Sequence, residues 1–179
     1  MATATERRQR AVAGWDVSVA GPGDLTAVRS LLAEGPDIPG REAEVTAAVA
    51  EGRCLVARHR PSESDVTMGA AGPVVGLATH DRSLFGRPFL SLLLVAAAAR
   101  RGGAGSALVL GVVDRTEGDR LFTSTNSSNE PMRMLVGRLG FVSCGYVEHL
   151  DDGDPELVYV RWLRGAGPAA IPAPVEAPD

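Results

Sequence analysis

The chain has 179 residues, 45% hydrophobic and 22% charged, which is enough to bury the core of one domain. A formal net charge of -4 and a pI near 5.4 argue against a nucleic-acid partner, which usually needs a basic face. All 18 positive side chains are arginine, so a lysine Schiff base and a lysine-dependent phosphate loop are both excluded.

Residues 1–13 carry Arg7, Arg8 and Arg10 with no apolar segment behind them. They read as a polar, disordered tail and not as a secretory leader. Trp15 to Ala20 alternates in the manner of a strand. Gly21-Pro22-Gly23-Asp24 then breaks the chain and caps a helix with Leu25, Val28, Leu31 and Leu32 on one face. A second helix is expected from Arg41 to Ala50, stopped by Gly52, and a strand from Cys54 to His59. Residues 60–72 read as a polar loop.

Pro73 to His80 and Phe89 to Val95 are β-rich runs, joined by a hairpin connection over Asp81 to Pro88. Gly102-Gly103 opens a helix running to Glu117, followed by a strand from Leu121 to Thr125. Met132, Leu135, Val136 and Leu139 form an i, i+3, i+4, i+7 stripe, which predicts a helix over Glu130 to Leu139. Phe141 to His149 and Leu157 to Leu163 are strands around an acidic loop. The Ala/Pro/Gly-rich end, 165–179, has no periodicity and is expected to be disordered. The order is βααβββαβαββ: a mixed α/β domain over 14–164, its mostly antiparallel central sheet flanked by helices.

Cys54 and Cys144 lie far apart inside predicted strands, so they read as reduced, buried side chains rather than a disulfide or metal pair. No metal site is expected. The most apolar stretch, Phe89 to Ala99, is shorter than the roughly 20 residues of a membrane span. The expectations are therefore no membrane and a cytoplasmic location.

The most informative stretch is Val95 to Leu108. A buried strand ends, glycines follow, and a helix begins. Helix starts present unpaired N–H groups and a partial positive charge, which suits a pyrophosphate. Arg100 and Arg101 can add charge-assisted hydrogen bonds. The dinucleotide fingerprint fails because Leu108 stands where its third glycine belongs. The nucleotide-triphosphate loop fails for want of lysine.

The pattern Arg/Gln-x-x-Gly-x-Gly/Ala does fit, as Arg100-Arg101-Gly102-Gly103-Ala104-Gly105, with Ser106 following. It resembles the pyrophosphate motif of the GNAT superfamily of acetyl-CoA-dependent N-acetyltransferases. Asn129 near a helix start and the later Gly140-Phe141 resemble the second half of that cofactor site, and Gly145 to Glu156 resembles a small bacterial-type subgroup. The likeness spans about 14–164. It implies a sheet whose fourth and fifth strands splay apart, with acetyl-CoA between them near the backbone of Leu94 and Val95. It also implies cofactor contacts from Arg100, Arg101, Gly102, Gly103, Ala104, Gly105, Ser106 and Asn129. The acceptor would be a small-molecule or peptidyl amine, and a homodimer is compatible with the family.

The catalytic groups are less legible. A lysine-type amine, with a pKa of about 10.4, is mostly protonated at pH 7, whereas an α-amine near 8 is not. A general base therefore matters more for the first. Many relatives place a tyrosine acid four residues before the Gly of Gly-Phe, and here that position is Val136. Tyrosine introduced at Val136 is thus expected to alter turnover more than cofactor affinity. A carboxylate found on the preceding strand in several relatives is replaced by Ser91. His80, which ends a predicted strand and titrates in a useful range, is one candidate catalytic residue. Tyr146 and Glu148, expected to share one strand face, are the others. Asp151, Asp152, Asp154 and Glu156 read either as a solvated turn or as a negative rim attracting a cationic amine. The missing tyrosine and carboxylate keep open a second reading, a non-catalytic acyl-CoA-binding sensor.

Overall fold

The structure, a computed structural model, describes residues 13–35, 38–60 and 72–163. The expected polar loop lies almost wholly outside these residues, as do the two expected tails except for Ala13. The strands are β1 (Trp15–Val19), β2 (Cys54–His59), β3 (Val74–Leu84), β4 (Arg87–Val95), β5 (Arg120–Asn126), β6 (Val142–Val147) and β7 (Glu156–Trp162). The helices are α1 (Leu25–Ala33), α2 (Arg41–Ala50), α3 (Ala104–Arg115) and α4 (Glu130–Arg138). This order is the one the sequence predicts. Short 3-10 turns occupy Pro22–Asp24 and Ala97–Ala99.

The seven strands form one sheet in the order β1-β2-β3-β4-β5-β7-β6, antiparallel except where β4 meets β5. Strand alternation assigns each side chain to a face. Cys54, Val56 and Leu77 point to one side, where Val28 and Leu31 of α1 and Val45, Ala48 and Val49 of α2 cover them. Leu55, Ala57 and Ala78 point to the other, against Leu108, Val109 and Val112 of α3 and Val136 of α4. Burying each of the valines and leucines among them contributes about 1.5–3 kcal/mol relative to exposure. α3 is buried almost all round, in keeping with its apolar composition.

Several local expectations change in the folded chain. The hairpin connection is tighter than predicted: β3 continues to Leu84, and only Phe85 and Gly86 turn, with φ of 51° and 72°. Two successive positive φ values match the twist of a two-residue hairpin. α3 stops at Arg115, two residues early, because Thr116 is already extended. β6 ends at Val147, so Glu148 and His149 lie in the following turn, and no strand alternation relates Glu148 to Tyr146. Cys54 is fully buried as expected, but Cys144 is exposed. The reason is positional: β6 is the outer strand of the sheet, and all six of its residues are exposed.

Candidate active site

The feature that organises the site is the parting of β4 from β5. These parallel strands pair only at Phe89–Phe122 and Leu90–Thr123. The Thr123 hydroxyl donates to the Leu90 carbonyl at 3.0 Å and pins the strands at this apex. Beyond it, β4 runs on from Ser91 to Val95 with no partner on its β5 side. On its other side β4 stays paired with β3, and the Ala96 N–H continues that ladder to the Val75 carbonyl at 2.9 Å. Alternation turns the peptide groups of Leu94 toward β3 and those of Val95 toward the opening. The Val95 carbonyl accepts from Arg100 Nε at 3.0 Å.

Two helices start beside the mouth of this wedge. α3 begins at Ala104, after Gly103 in the left-handed region at φ 97°, with no side-chain cap. That conformation favours glycine because a Cβ would crowd the backbone. Among the described residues no protein group accepts from the N–H groups of Gly103, Ala104, Gly105 or Ser106. These four donors are thus free for an anion. Arg100 and Arg101 are exposed beside them. The Gly102 carbonyl is held from behind by the indole N–H of Trp15 at 2.8 Å. A Cβ on Gly102 would stand 3.3 Å from the Trp15 ring.

α4 is the second helix at the mouth. Its cap is Asn129, whose Oδ1 accepts from the Met132 N–H at 3.2 Å. The Asn129 side chain is exposed, so its amide NH2 remains available for a ligand. Gly105 sets the spacing of the two helices: a Cβ there would lie 3.4 Å from Leu135 of α4 and 3.7 Å from Val95. All ten residues singled out for the cofactor therefore lie on three neighbouring segments, the end of β4, the start of α3 and the start of α4.

The acidic segment after β6 is tied into this mouth. Asp154 accepts from the Ser127 hydroxyl at 2.8 Å and from the Ser128 N–H at 2.9 Å and hydroxyl at 2.5 Å. Those bonds hold its carboxyl below the ordinary aspartate range. Asp151 accepts from Asn126 Nδ2 at 2.7 Å. Two of the four acidic side chains thus brace the β5–α4 connection, a role that spacing alone did not reveal.

The candidate catalytic residues are not brought together. His80 is on β3, half-buried, and alternates onto the α3 face with Ala78. Burial, and then the charge of Arg53, push its pKa below the usual histidine value; Asp81 pulls the other way, and Arg115 adds a lesser push down. Tyr146 and Glu148 are exposed on and just after β6, which is separated from β3 by β4, β5 and β7. Val136 is fully buried, in the same core cluster as Leu90. Among the described residues no group of three or more His, Cys, Asp or Glu side chains is placed to hold a metal ion. Among them, too, no helix is long and apolar enough to cross a membrane.

An open groove of about 1060 Å³ lies between α1 and α2, lined by Leu32, Gly35, Ile38, Arg41 and Glu42 among others.

This architecture has solved counterparts. The crystal structure of a GNAT-family acetyltransferase from Bacillus cereus ATCC 10987 superposes with a TM-score of 0.72 at 28% identity, covering 84% of this chain and 98% of the other. This chain belongs to the GNAT superfamily. Two more distant structures share the GNAT fold. The ribosomal-protein-S18-alanine N-acetyltransferase of Escherichia coli has a TM-score of 0.66 at 18% identity, over 86% of this chain and 96% of its own. The NatC complex bound to Gag peptide and CoA gives 0.67 at 15%, over 84% and 99%. No protein-family model and no curated protein matches the sequence.

Proposed function

We propose that this GNAT protein is an acetyl-CoA-dependent N-acetyltransferase acting on an amine of a small molecule or peptide by direct attack in a ternary complex. One observation carries the reading: the β4 edge opens next to a helix start whose first N–H groups have no acceptor among the described residues. That pairing suits a ligand with a diphosphate at one end and a thin, amide-bearing arm. The NatC neighbour, bound to a peptide and CoA, supports the same ligand class.

The residues fit such a donor. N–H groups from Gly103 to Ser106 would hold the diphosphate, with Arg100 and Arg101 flanking it. The open peptide edge around Val95 would take the amide-bearing arm, and Asn129 would contact it from the α4 side. Acetyl-CoA supplies a thioester carbonyl activated for attack. The acceptor nitrogen donates its lone pair to that carbon, the C–N bond forms, the C–S bond breaks with its electrons on sulfur, and the nitrogen releases one proton. Alignment in a closed cleft carries much of this reaction. A thiol with a pKa of about 8.5 leaves tolerably as thiolate without a positioned acid.

Val136 and Ser91, standing where many relatives carry a tyrosine and a carboxylate, favour a second reading, a non-catalytic acyl-CoA sensor. Thermal shift with acetyl-CoA and thiol release across an amine panel separate the two. Stabilisation with thiol release supports the enzyme, and stabilisation without release supports the sensor. No stabilisation overturns both. The proposal includes a cytoplasmic location.

A further inference from the structure

The outer strand of the sheet is bare on one side. β6 pairs with β7, and among the described residues no strand meets its other edge. Such an edge is a template for a further strand, and proteins usually blunt it with charge or proline. The opposite edge follows that rule, since β1 carries the exposed carboxylate of Asp16. β6 does not. Its six residues include neither charge nor proline, and Val142, Tyr146 and Val147 are 49%, 65% and 48% exposed.

A bulge can also blunt an edge, but the one in β6 has a further effect. β6 and β7 pair as Ser143–Tyr159 and then Gly145–Val158, so Cys144 is an extra residue. Val142, Gly145 and Val147 oppose Val160, Val158 and Glu156, alternate residues of β7, and therefore share one face. Ser143 and Tyr146 oppose Tyr159 and Leu157 on the α4 face. In a regular strand, residues five apart point to opposite faces. The extra residue sets Val142 and Val147 on the same one.

That parity suits a second copy of this chain. A two-fold axis perpendicular to the sheet, between Cys144 and Gly145, runs two β6 strands antiparallel and keeps each face on its own side. Val142 of each copy then stands opposite Val147 of the other, and Ser143 opposite Tyr146, each pair on a common face. Charge beyond the strand ends matches too. Reversal sets the acidic segment from Glu148 to Asp152 of one copy beside the end of α4 in the other. There Arg138 is exposed and makes no salt bridge among the described residues. Leu150, 64% exposed, is carried to the same place. Six paired residues supply about six backbone hydrogen bonds, inside the usual interface range of about 5–15.

We infer that two copies of this chain join β6 to β6 in this register, uniting two seven-stranded sheets into one. The contact is the same patch on both copies, so it closes at a dimer. The inference does not rest on the transferase reading, because β7 stands between β6 and the wedge strand β5.

The test is sedimentation velocity of the full chain across a dilution series. The unaltered protein should sediment as a dimer that dissociates on dilution. Val147→Asp should weaken that dimer at least about a hundredfold, tenfold for each unpaired carboxylate set against a Val142. Adding Val142→Arg to Val147→Asp should restore most of the loss, because each carboxylate then faces a guanidinium. Thermal melts of both variants check that they fold. A short bis-maleimide should link unaltered chains through Cys144, since in this register the two Cys144 Cα atoms lie about 6 Å apart, one residue along and one strand across. Cys144→Ser should remove the link and leave the dimer. A dimer that Val147→Asp leaves unchanged, or folded variants without rescue, would overturn the inference. A monomer at every concentration would also overturn it, and slow hydrogen exchange at its outer β6 amides would show that another segment of the same chain covers the edge.

Discussion

Trp15 and Gly102, 87 residues apart, are joined by an indole N–H to carbonyl hydrogen bond of 2.8 Å. Through it the first strand holds the turn that presents the helix-start amides. Trp15→Phe keeps the ring and deletes the donor. A neutral hydrogen bond is worth about 0.5–1.5 kcal/mol net, so the stability loss should be of that order. Acetyl-CoA affinity should fall several-fold because the turn is no longer held from behind. Urea unfolding and thermal shift of both proteins check this, and an unchanged cofactor shift would show that the tie is only structural.

Gly103 and Gly118 both have positive φ, 97° and 110°, but only Gly103 opens α3. Alanine at either site should cost about 1–3 kcal/mol of backbone strain. Gly103→Asp should in addition abolish acetyl-CoA stabilisation by setting negative charge against phosphate, whereas Gly118→Ala should leave the cofactor shift intact. Calorimetry with and without acetyl-CoA distinguishes strain from site loss.

Tyrosine at Val136 meets a fully buried position. To the expected change in turnover the burial adds one in stability. Overpacking of a filled core costs about 1–3 kcal/mol. Denaturant midpoints should drop accordingly, and a variant of unchanged stability with faster turnover would show that the ring finds the wedge after all.

Asp154 bridges the segment after β6 to Ser127 and Ser128, and these bonds lower its carboxyl pKa. A depressed folded pKa contributes stability that is present above the unfolded value, about 3.9, and is lost as pH falls through the folded one. Asp154→Ala should lower Tm at pH 7, and the gap between the two proteins should close as pH falls below about 4. A gap that is constant with pH would exclude the carboxylate bonds as its source.

The two thiols should report their surroundings. Burial, with the Asp24 charge, pushes Cys54 up to about 11, while exposed Cys144 is raised by partial burial alone. A thiol-specific disulfide reagent at pH 8 should modify one cysteine in the native protein and two in denaturant. Peptide mapping should place the native label on Cys144.

Much of this protein was legible from local signals. Period-2 and period-3.6 patterns, with glycine and proline punctuation, yielded all seven strands and four helices, because each depends on residues a few positions apart. The strand end, glycine turn and helix start from Val95 to Ser106 were legible for the same reason, since they are contiguous. What the tertiary structure decided is which distant groups meet. The parting of β4 from β5 depends on pairing that stops at Leu90 and Thr123, 33 residues apart. The indole behind Gly102, the bulge that turns Ser91 to Thr79, and the outer position that exposes Cys144 are likewise set by strand order. Side-chain periodicity states which residues share a face, but the free energy that selects a strand's neighbours comes from contacts made only when the whole sheet closes.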